Sequence, residues 1–275
     1  HAYAHVPYYR QVMQERGLGP GDIRTSGDLV KLPIVTKAII RERLNDMVAG
    51  DVPKKDLVPS RTSGSTGSPL VFLTTKHDRY SYGRARGLLA MEWAGVALGD
   101  RIVTFASTFG APSRFEKAIG PVSARFRRAI VVPSLSSESL EDVVRLLHRA
   151  RPHALAAYPS TLALIAGHIQ NSKQTAPRLH AILTGGEQMF DHQRALIRDT
   201  FGLEPFARYG SRENYVLATE CEAHSGLHVF VQDMVLEVVD DDGAPVPPGS
   251  VGRILITNLL ARGMPFIRYD TGDLG

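Results

Sequence analysis

The strongest constraint on the fold is an alternation of short apolar runs with amphipathic stretches between residues 101 and 201. The apolar runs have the length of strands and occupy residues 101–106, 129–132, 154–158 and 181–183. Segments with helical periodicity follow the last three runs, at residues 139–149, 161–170 and 191–201. Strands that alternate with helices predict βαβ units, and therefore a largely parallel sheet with helices on its faces.

The pattern changes near residue 226, which suggests a second structural region. Residues 228–239 alternate with period two, Asp242-Gly243 marks a turn, and residues 252–258 have the character of another strand. This pattern predicts an antiparallel hairpin or a small β subdomain. We therefore predict an α/β body at residues 1–225 and a β subdomain at residues 226–275.

Composition excludes several classes of protein. The 275 residues are 43% hydrophobic and 22% charged, as expected of a folded chain with a large core. The net charge of +4 is scattered, and its densest cluster, Arg125, Arg127 and Arg128, lacks interleaved aromatic residues, so we predict no nucleic-acid partner. No apolar run reaches the length that crosses a bilayer, so we predict no membrane association. The single cysteine, Cys221, excludes an internal disulfide and favours the cytoplasm.

A loop rich in glycine and hydroxyl residues, Thr-Ser-Gly-Ser-Thr-Gly-Ser-Pro, occupies residues 62–69. Glycines let a backbone approach a ligand closely, and hydroxyls with free amides can surround phosphate oxygens. A flexible surface turn is the alternative. The P-loop of nucleoside triphosphatases is excluded because it requires Gly-Lys-Ser/Thr at the start of a helix. Here Gly67 is followed by serine and then by a strand-like run from Leu70.

Three further motifs follow this loop in sequence order. They are residues 185–187 (Gly-Gly-Glu), 209–213 (Tyr-Gly-Ser-Arg-Glu) and 269–273 (Tyr-Asp-Thr-Gly-Asp). Together with the loop, they resemble the motifs of the adenylate-forming superfamily of acyl- and aryl-CoA ligases, peptide-synthetase adenylation domains and luciferases. Residues 5–10 (His-Val-Pro-Tyr-Tyr-Arg) and 32–37 (Leu-Pro-Ile-Val-Thr-Lys) resemble the phenylacetate-CoA ligase branch. The resemblance covers essentially the whole chain.

The resemblance implies a fold and an activity. The fold is the N-terminal domain of adenylate-forming enzymes, with mixed, largely parallel sheets flanked by helices and a small antiparallel β subdomain. The activity is ATP-dependent conversion of a carboxylic acid, aromatic or otherwise hydrophobic, into an acyl-adenylate and then a thioester of CoA. The implied ligands are ATP or AMP, Mg²⁺, the small-molecule acid and, in the full-length protein, CoA. The resemblance places the acid pocket near Tyr158, the strand at Gly185 and the helix that carries Trp93.

The same resemblance assigns roles to individual residues. Glu213 holds Mg²⁺ and, with Thr66, forms the catalytic pair, Tyr209 stacks on adenine, and Asp273 accepts hydrogen bonds from the ribose hydroxyls. The full nucleotide-binding set comprises Thr62, Ser63, Gly64, Ser65, Thr66, Gly67, Gly185, Gly186, Glu187, Tyr209, Gly210, Ser211 and Asp273.

Departures from the family pattern leave alternatives open. Leu70 stands where lysine is common, Arg212 where serine or threonine precedes the glutamate, and Ala207 where an acid or amide faces adenine. A non-catalytic nucleotide-binding module is therefore one alternative, and acyl transfer to a carrier-protein thiol or an amine is another. Relatives continue into a C-terminal domain that supplies a lysine, whereas this chain ends at Gly275. We expect the chain alone to bind ATP or AMP but to form acyl-adenylate poorly, and the resemblance favours a homodimer.

The spacing of Cys221, His224 and His228 suits a zinc site, since a thiolate and imidazoles are common zinc ligands. No fourth ligand is evident nearby. The alternative is a small buried thiol beside surface histidines.

Overall fold

The computed structural model describes residues 1–62, 69–80, 82–106, 129–133 and 140–275. The chain forms two compact units. The first unit comprises His1–Arg86, Ser211–Tyr215 and Val229–Gly275, and the second comprises Gly87–Gly210 and Val216–His228. The predicted organisation into residues 1–225 and 226–275 stays a prediction.

The described residues form the following strands: β1 (Leu57–Arg61), β2 (Val71–Thr75), β3 (Ile102–Ala106), β4 (Ala129–Pro133), β5 (Ala154–Ala157), β6 (Ala181–Gly185), β7 (Phe206–Ser211), β8 (Tyr215–Thr219), β9 (His228–Val229), β10 (Met234–Val239), β11 (Arg253–Asn258) and β12 (Tyr269–Leu274). Their α-helices are Ala2–His5, Pro7–Glu15, Lys37–Glu42, Lys76–Tyr80, Tyr82–Trp93, Leu140–Ala150, Pro159–Asn171 and Asp191–Phe201. Within these described ranges, no helix combines the length and the apolar character that crossing a bilayer requires.

A seven-stranded sheet in the order β4-β3-β5-β6-β7-β8-β9 dominates the second unit. The pairs β3–β4, β3–β5, β5–β6 and β6–β7 are all parallel. Each of the four strands predicted from the apolar runs is present, with ends that differ by at most two residues. The predicted fold class is therefore confirmed.

Helix Leu140–Ala150 illustrates how the sequence positions elements on this sheet. Val143, Val144 and Leu147 are spaced three and four residues apart along one helical face, and all three are fully buried. Burial of each such side chain contributes about 1.5–3 kcal/mol. They pack in one core cluster with Leu155 of β5 and Ile182 of β6, so the helix covers the sheet.

The first unit contains two antiparallel sheets, β1-β2 and β10-β11-β12. The turn predicted at Asp242-Gly243 is present between β10 and β11, and Gly243 adopts a φ of +83° that favours glycine. The segment of period-two alternation at residues 228–239 contains two strands, and the second of them, β10, forms an antiparallel pair with β11. The backbone turns between Phe230 and Asp233, because the Phe230 ring is buried and the Asp233 carboxylate pairs with Arg86 at 2.9 Å. The segment is therefore divided between β9 and β10.

Near the start of the chain, Thr36 caps helix Lys37–Glu42. Its hydroxyl accepts a hydrogen bond from the Ile39 amide at 3.3 Å, which satisfies one of the unpaired amides at the start of the helix. Ile40 of this helix enters the core of the first unit beside Phe72 and Tyr269.

Candidate nucleotide-binding site

The glycine-rich loop begins and ends at a tight pair of hydrogen bonds. The Thr62 amide donates to the Leu70 carbonyl at 3.0 Å, and the Leu70 amide donates to the Thr62 hydroxyl at 2.9 Å. These bonds continue the antiparallel pairing of β1 with β2. The predicted phosphate-binding residues Ser63 to Gly67, including the catalytic candidate Thr66, lie outside the described residues.

The first unit buries the carboxylate of Glu213. Its side chain belongs to a residue that is 7% exposed, and the Tyr269 hydroxyl donates a hydrogen bond to Oε1 at 2.6 Å. Within the described ranges no donor is placed against Oε2. One oxygen of Glu213 is therefore anchored, and the other retains its lone pairs for a cation.

Tyr269 is suited to be a permanent hydrogen-bond donor to this carboxylate. Burial raises the pKa of the Tyr269 phenol far above its usual value, and the neighbouring Glu213 raises that pKa further. The phenol therefore keeps its proton throughout the physiological range and always donates to Glu213. A charge-assisted hydrogen bond of this kind is about twice as strong as a neutral one.

The backbone that follows Glu213 is fixed by buried polar contacts. Asn214 is fully buried, and its side-chain oxygen accepts a hydrogen bond from Asn258 at 3.1 Å. The Arg86 guanidinium donates to the Asn214 carbonyl at 3.0 Å and pairs with Asp233. Tyr215, at a φ of +62°, completes this constrained turn.

Asp273 lies on β12, four residues after Tyr269. Its amide donates to the Thr271 hydroxyl at 3.1 Å, and Gly272 before it adopts a φ of +82°. Asp273 is exposed. Tyr269 thus joins two of the sequence motifs directly, because it bonds to Glu213 and begins the strand that carries Asp273.

Predicted site residues of the second unit gather at the carboxyl end of the parallel sheet, whereas Ser211 belongs to the first unit. Gly185 of β6 lies opposite Arg208 of β7 in the sheet register, and Tyr209 and Gly210 follow on the same strand. Ligands of open parallel sheets bind outside the carboxyl ends of the strands. Gly185, Gly186, Tyr209 and Gly210 therefore occupy the edge where a ligand is expected.

The two glycines of this edge are there for steric reasons. A Cβ atom at Gly186 would lie 2.5 Å from Cε1 of Tyr158, and the residue adopts a φ of +83°. A Cβ atom at Gly185 would lie 3.1 Å from the Arg208 carbonyl oxygen. The absence of both side chains lets Tyr158 lie against the backbone.

Glu187 has a structural contact in addition to its predicted place beside adenine. Its carboxylate accepts a hydrogen bond from the Ser160 amide at 3.3 Å. Ser160 lies in the first turn of helix Pro159–Asn171, where amides lack partners within the helix. Glu187 therefore ties the turn after β6 to the helix after β5.

The zinc candidates are only partly brought together. The His228 imidazole lies 3.2 Å from the Cys221 sulfur, whereas the His224 imidazole is 3.0 Å from the Glu220 carboxylate. Across the described ranges, the one group of three side chains with ligand atoms within 4.8 Å of one another is His1, His5 and Asp51, all exposed. The zinc site at Cys221, His224 and His228 stays a prediction.

A protein-family model described as "AMP-binding enzyme" matches residues 61–263, which include three of the four motifs. This chain belongs to the AMP-binding enzyme family. The resemblance to adenylate-forming enzymes, predicted from the motifs, is confirmed.

Individual members of the AMP-binding enzyme family show how much of such a protein this chain represents. The chain is 29% identical over 284 residues to the phenylacetate-coenzyme A ligase of Thermus thermophilus, covering all of this chain and 62% of that protein. It is also 29% identical to the phenylacetate-coenzyme A ligase of Pseudomonas putida, of which it covers 63%. The chain therefore spans less than two thirds of the length of these relatives.

The fold is shared with a solved CoA ligase. An open conformation of 2-hydroxyisobutyryl-CoA ligase, in complex with 2-HIB-AMP and CoA, superposes with a TM-score of 0.80. The match covers 99% of this chain and 66% of that protein at 24% identity.

Two residues of this AMP-binding enzyme were not predicted as site residues. Tyr269 begins a motif, but no local pattern links it to Glu213, 56 residues earlier in the sequence. Arg208 directly precedes Tyr209 and has no place in the motif. Its Nε donates to the Thr184 carbonyl at 3.4 Å, and burial lowers the pKa of its guanidinium to about 10.

Proposed function

We propose that the full-length protein activates a carboxylic acid with ATP to an acyl-adenylate and then transfers the acyl group to CoA. The proposal is supported by family membership and by the relatives that are named CoA ligases. The observation that carries it is the buried Glu213 carboxylate, with Oε1 anchored by Tyr269 and Oε2 available to a cation.

In the adenylation step, a carboxylate oxygen of the acid attacks the α-phosphorus of ATP. A carbon-bound oxygen becomes joined to phosphorus, and the bond between the α-phosphorus and the bridging oxygen breaks to release pyrophosphate. Nucleophile and phosphates are all anionic, so the protein has to hold them together and offset their repulsion. In the second step the thiol of CoA replaces AMP at the acyl carbon.

The candidate site residues have separate roles in this scheme. The loop that Thr62 closes would surround the phosphates, and Glu213 would bind Mg²⁺, which prefers hard oxygen ligands. Bound Mg²⁺ supplies charge neutralisation for the polyphosphate. We propose that Tyr209 stacks on adenine beside Gly185 and Gly186, and that Asp273 binds the ribose hydroxyls.

The nature of the acid is a separate part of the proposal. An aromatic or otherwise hydrophobic carbon skeleton is supported by the similarity to phenylacetate-coenzyme A ligases. CoA is favoured over a carrier-protein thiol as acceptor because the similar proteins are CoA ligases.

The experiment compares pyrophosphate release and its Mg²⁺ dependence in full-length variants. Glu213→Gln is expected to lower kcat/KM by about 10²–10³-fold, because an amide cannot replace a charged ligand of the cation. Tyr269→Phe removes only the support of that ligand, so a loss of about 10–100-fold and a higher Mg²⁺ requirement are expected. The Mg²⁺ titration is the readout that a purely structural role would leave unchanged.

Tyr9→Phe is the matched control for Tyr269→Phe. Tyr9 is another buried tyrosine of the first unit, and its hydroxyl bonds to the Pro265 carbonyl at 2.9 Å and the Ile267 amide at 3.0 Å. This variant should lose two buried hydrogen bonds but keep the Mg²⁺ requirement of the wild type. Equal Mg²⁺ requirements in the two tyrosine variants would contradict the role of Glu213. Binding of ATP without pyrophosphate release from any acid would favour the non-catalytic nucleotide-binding module.

A further inference from the structure

Arg208 presents a cation at the carboxyl end of the parallel sheet, and no anion among the described residues neutralises it. Its one hydrogen bond to the described residues runs from Nε to the Thr184 carbonyl at 3.4 Å. Neither terminal nitrogen, Nη1 or Nη2, has an acceptor in the part of the chain that the structure describes. The guanidinium is thus held through Nε, and the two Nη groups, which can bind a partner in a bidentate manner, remain available.

Such an arrangement is costly unless a ligand completes it. Arg208 is only half-buried, yet its guanidinium is desolvated enough that burial lowers its pKa to about 10. Removing a charge from water without a paired counter-charge opposes folding, which is why buried charges are normally paired.

Three other arginines with little exposure follow that rule. Each forms an ion pair at 3.1 Å or closer, with these pairs: Arg86 with Asp233, Arg194 with Glu220, and Arg268 with Glu237. Arg208 differs from these three. The contrast favours a ligand for Arg208 over a structural ion pair.

Arg208 lies at the edge of the sheet where ligands of parallel sheets bind. It lies opposite Gly185 in the register of β6 and β7, and Gly186 follows with Tyr158 against it. The two glycines let the Tyr158 ring approach the backbone at this edge. The aromatic ring of Tyr158 offers an apolar wall within the same unit.

We propose that Arg208 binds a second, non-reacting carboxylate of the acid substrate, so that the enzyme selects acids that carry two carboxylates. This inference rests on the proposed acid activation and specifies its substrate class. A guanidinium with two available Nη groups matches a carboxylate in a bidentate pair. The reacting carboxylate is a poor candidate for that pair, because both of its oxygens would be engaged and it would be a weaker nucleophile.

The first test measures pyrophosphate release by the full-length protein with matched pairs of acids. The pairs are 4-carboxyphenylacetate with phenylacetate, and hexanedioate with hexanoate, each with wild type, Arg208→Met and Arg208→Lys. Wild type is expected to prefer at least one diacid over its monoacid by more than about tenfold in kcat/KM, because a site built for a polar group rejects analogues that lack it. Arg208→Met should abolish this preference, and Arg208→Lys should retain part of it.

Two outcomes of this test would overturn the inference. One is a wild-type preference for the monoacid in both pairs. The other is an Arg208→Met variant that loses activity equally with both members of each pair and binds ATP more weakly, because Arg208 would then serve the nucleotide phosphates.

The second test does not require adenylation and so separates this inference from the proposed function. The Tm of wild type and Arg208→Met is measured with and without each diacid. Without ligand, the Tm of Arg208→Met should equal or exceed that of wild type, by on the order of 2 °C, because the unpaired charge is gone. A diacid should raise the Tm of wild type only.

A lower Tm of ligand-free Arg208→Met would identify Arg208 as a structural cation and overturn the inference. If no acid yields pyrophosphate but the diacid shift persists, the proposed function fails while the binding role of Arg208 stands.

Discussion

Arg268 in the first unit and Arg208 in the second show two ways of placing a guanidinium inside a protein. Every nitrogen of the Arg268 guanidinium has a partner: Nε donates to Glu237 at 3.1 Å, Nη1 to the Leu32 carbonyl at 3.0 Å, and Nη2 to the Gly243 carbonyl at 2.8 Å. Within the described part of the chain, Arg208 has only the Nε contact described above.

The difference indicates what each charge is for. A guanidinium whose donors are all used by the chain fastens segments distant in sequence, here the loop at Leu32, the β10 strand and the turn at Gly243. A guanidinium with unused donors keeps its binding capacity for something else. The comparison therefore predicts opposite effects of the same substitution at the two positions.

The largest loss of stability is expected for Arg268→Met. A small loss would contradict the contrast between Arg268 and Arg208. Its removal leaves the half-buried Glu237 carboxylate without its partner and two carbonyls without donors, so the free energy of unfolding should fall by about 3–5 kcal/mol. Urea unfolding measures this directly. Arg145→Met, at a side chain that is 59% exposed, is the matched control and should change stability by less than about 0.5 kcal/mol.

A second variant tests the cause of that loss. The double variant Arg268→Met with Glu237→Met removes both charges together. It should be more stable than Arg268→Met alone, because no uncompensated carboxylate remains in the interior. If the double variant were the less stable of the two, the unpaired charge would not be the cause.

Features of the fold and the site that depend on neighbouring residues in the sequence were predictable. The four strands of the parallel sheet and the turn at Gly243 follow from local patterns, and the structure confirms them. Family membership also follows, because the motifs are short and occur in order. The nucleotide-binding roles of Asp273 and the remaining motif residues stay predictions.

The contacts that distinguish one charged residue from another were not predictable. Tyr269 and Glu213 are 56 residues apart in sequence, and only the folded first unit brings their oxygens to 2.6 Å. Arg208 and Arg212 look alike in the sequence. The isolation of Arg208 depends on the register of β6 with β7, which no local pattern specifies.

A smaller effect on stability is expected from two glycine substitutions that change no charge. One glycine is crowded by a neighbouring side chain and the other is not. Gly83 and Gly87 lie one turn apart in helix Tyr82–Trp93. A Cβ at Gly83 would lie 2.7 Å from Cδ2 of Tyr215, whereas a Cβ at Gly87 meets nothing within 4 Å. Gly83→Ala should therefore lower the free energy of unfolding by about 1–3 kcal/mol. Gly87→Ala should raise it by about 0.5–1 kcal/mol, because alanine loses less backbone entropy in a helix. Thermal or urea unfolding of both variants is the measurement, and the same sign in both would contradict the steric role of Tyr215.

The smallest change in stability is expected for a variant of Glu220, which pairs with Arg194 in the second unit. This variant tests whether that pair is a charge interaction, which the contrast with Arg208 assumes. Glu220 is buried and pairs with Arg194 at 2.6 Å. Burial opposes its ionisation, but the Ala207 amide, His224 and Arg194 outweigh that opposition, and the pKa of Glu220 is lowered.

A lowered carboxyl pKa stabilises the folded state above the pKa of the unfolded chain, and this contribution disappears as the pH falls through the folded value. Glu220→Gln, which cannot ionise, should therefore differ most from wild type near neutral pH, and the difference should narrow below pH ~4. Urea unfolding between pH 7 and pH 3 measures it. Glu222→Gln, at an exposed acid two residues away, controls for the loss of one negative charge. A gap between wild type and Glu220→Gln that stayed constant over this range would mean that Glu220 and Arg194 contribute no charge pairing. The unpaired state of Arg208 would then be ordinary for this unit and would cease to indicate a ligand.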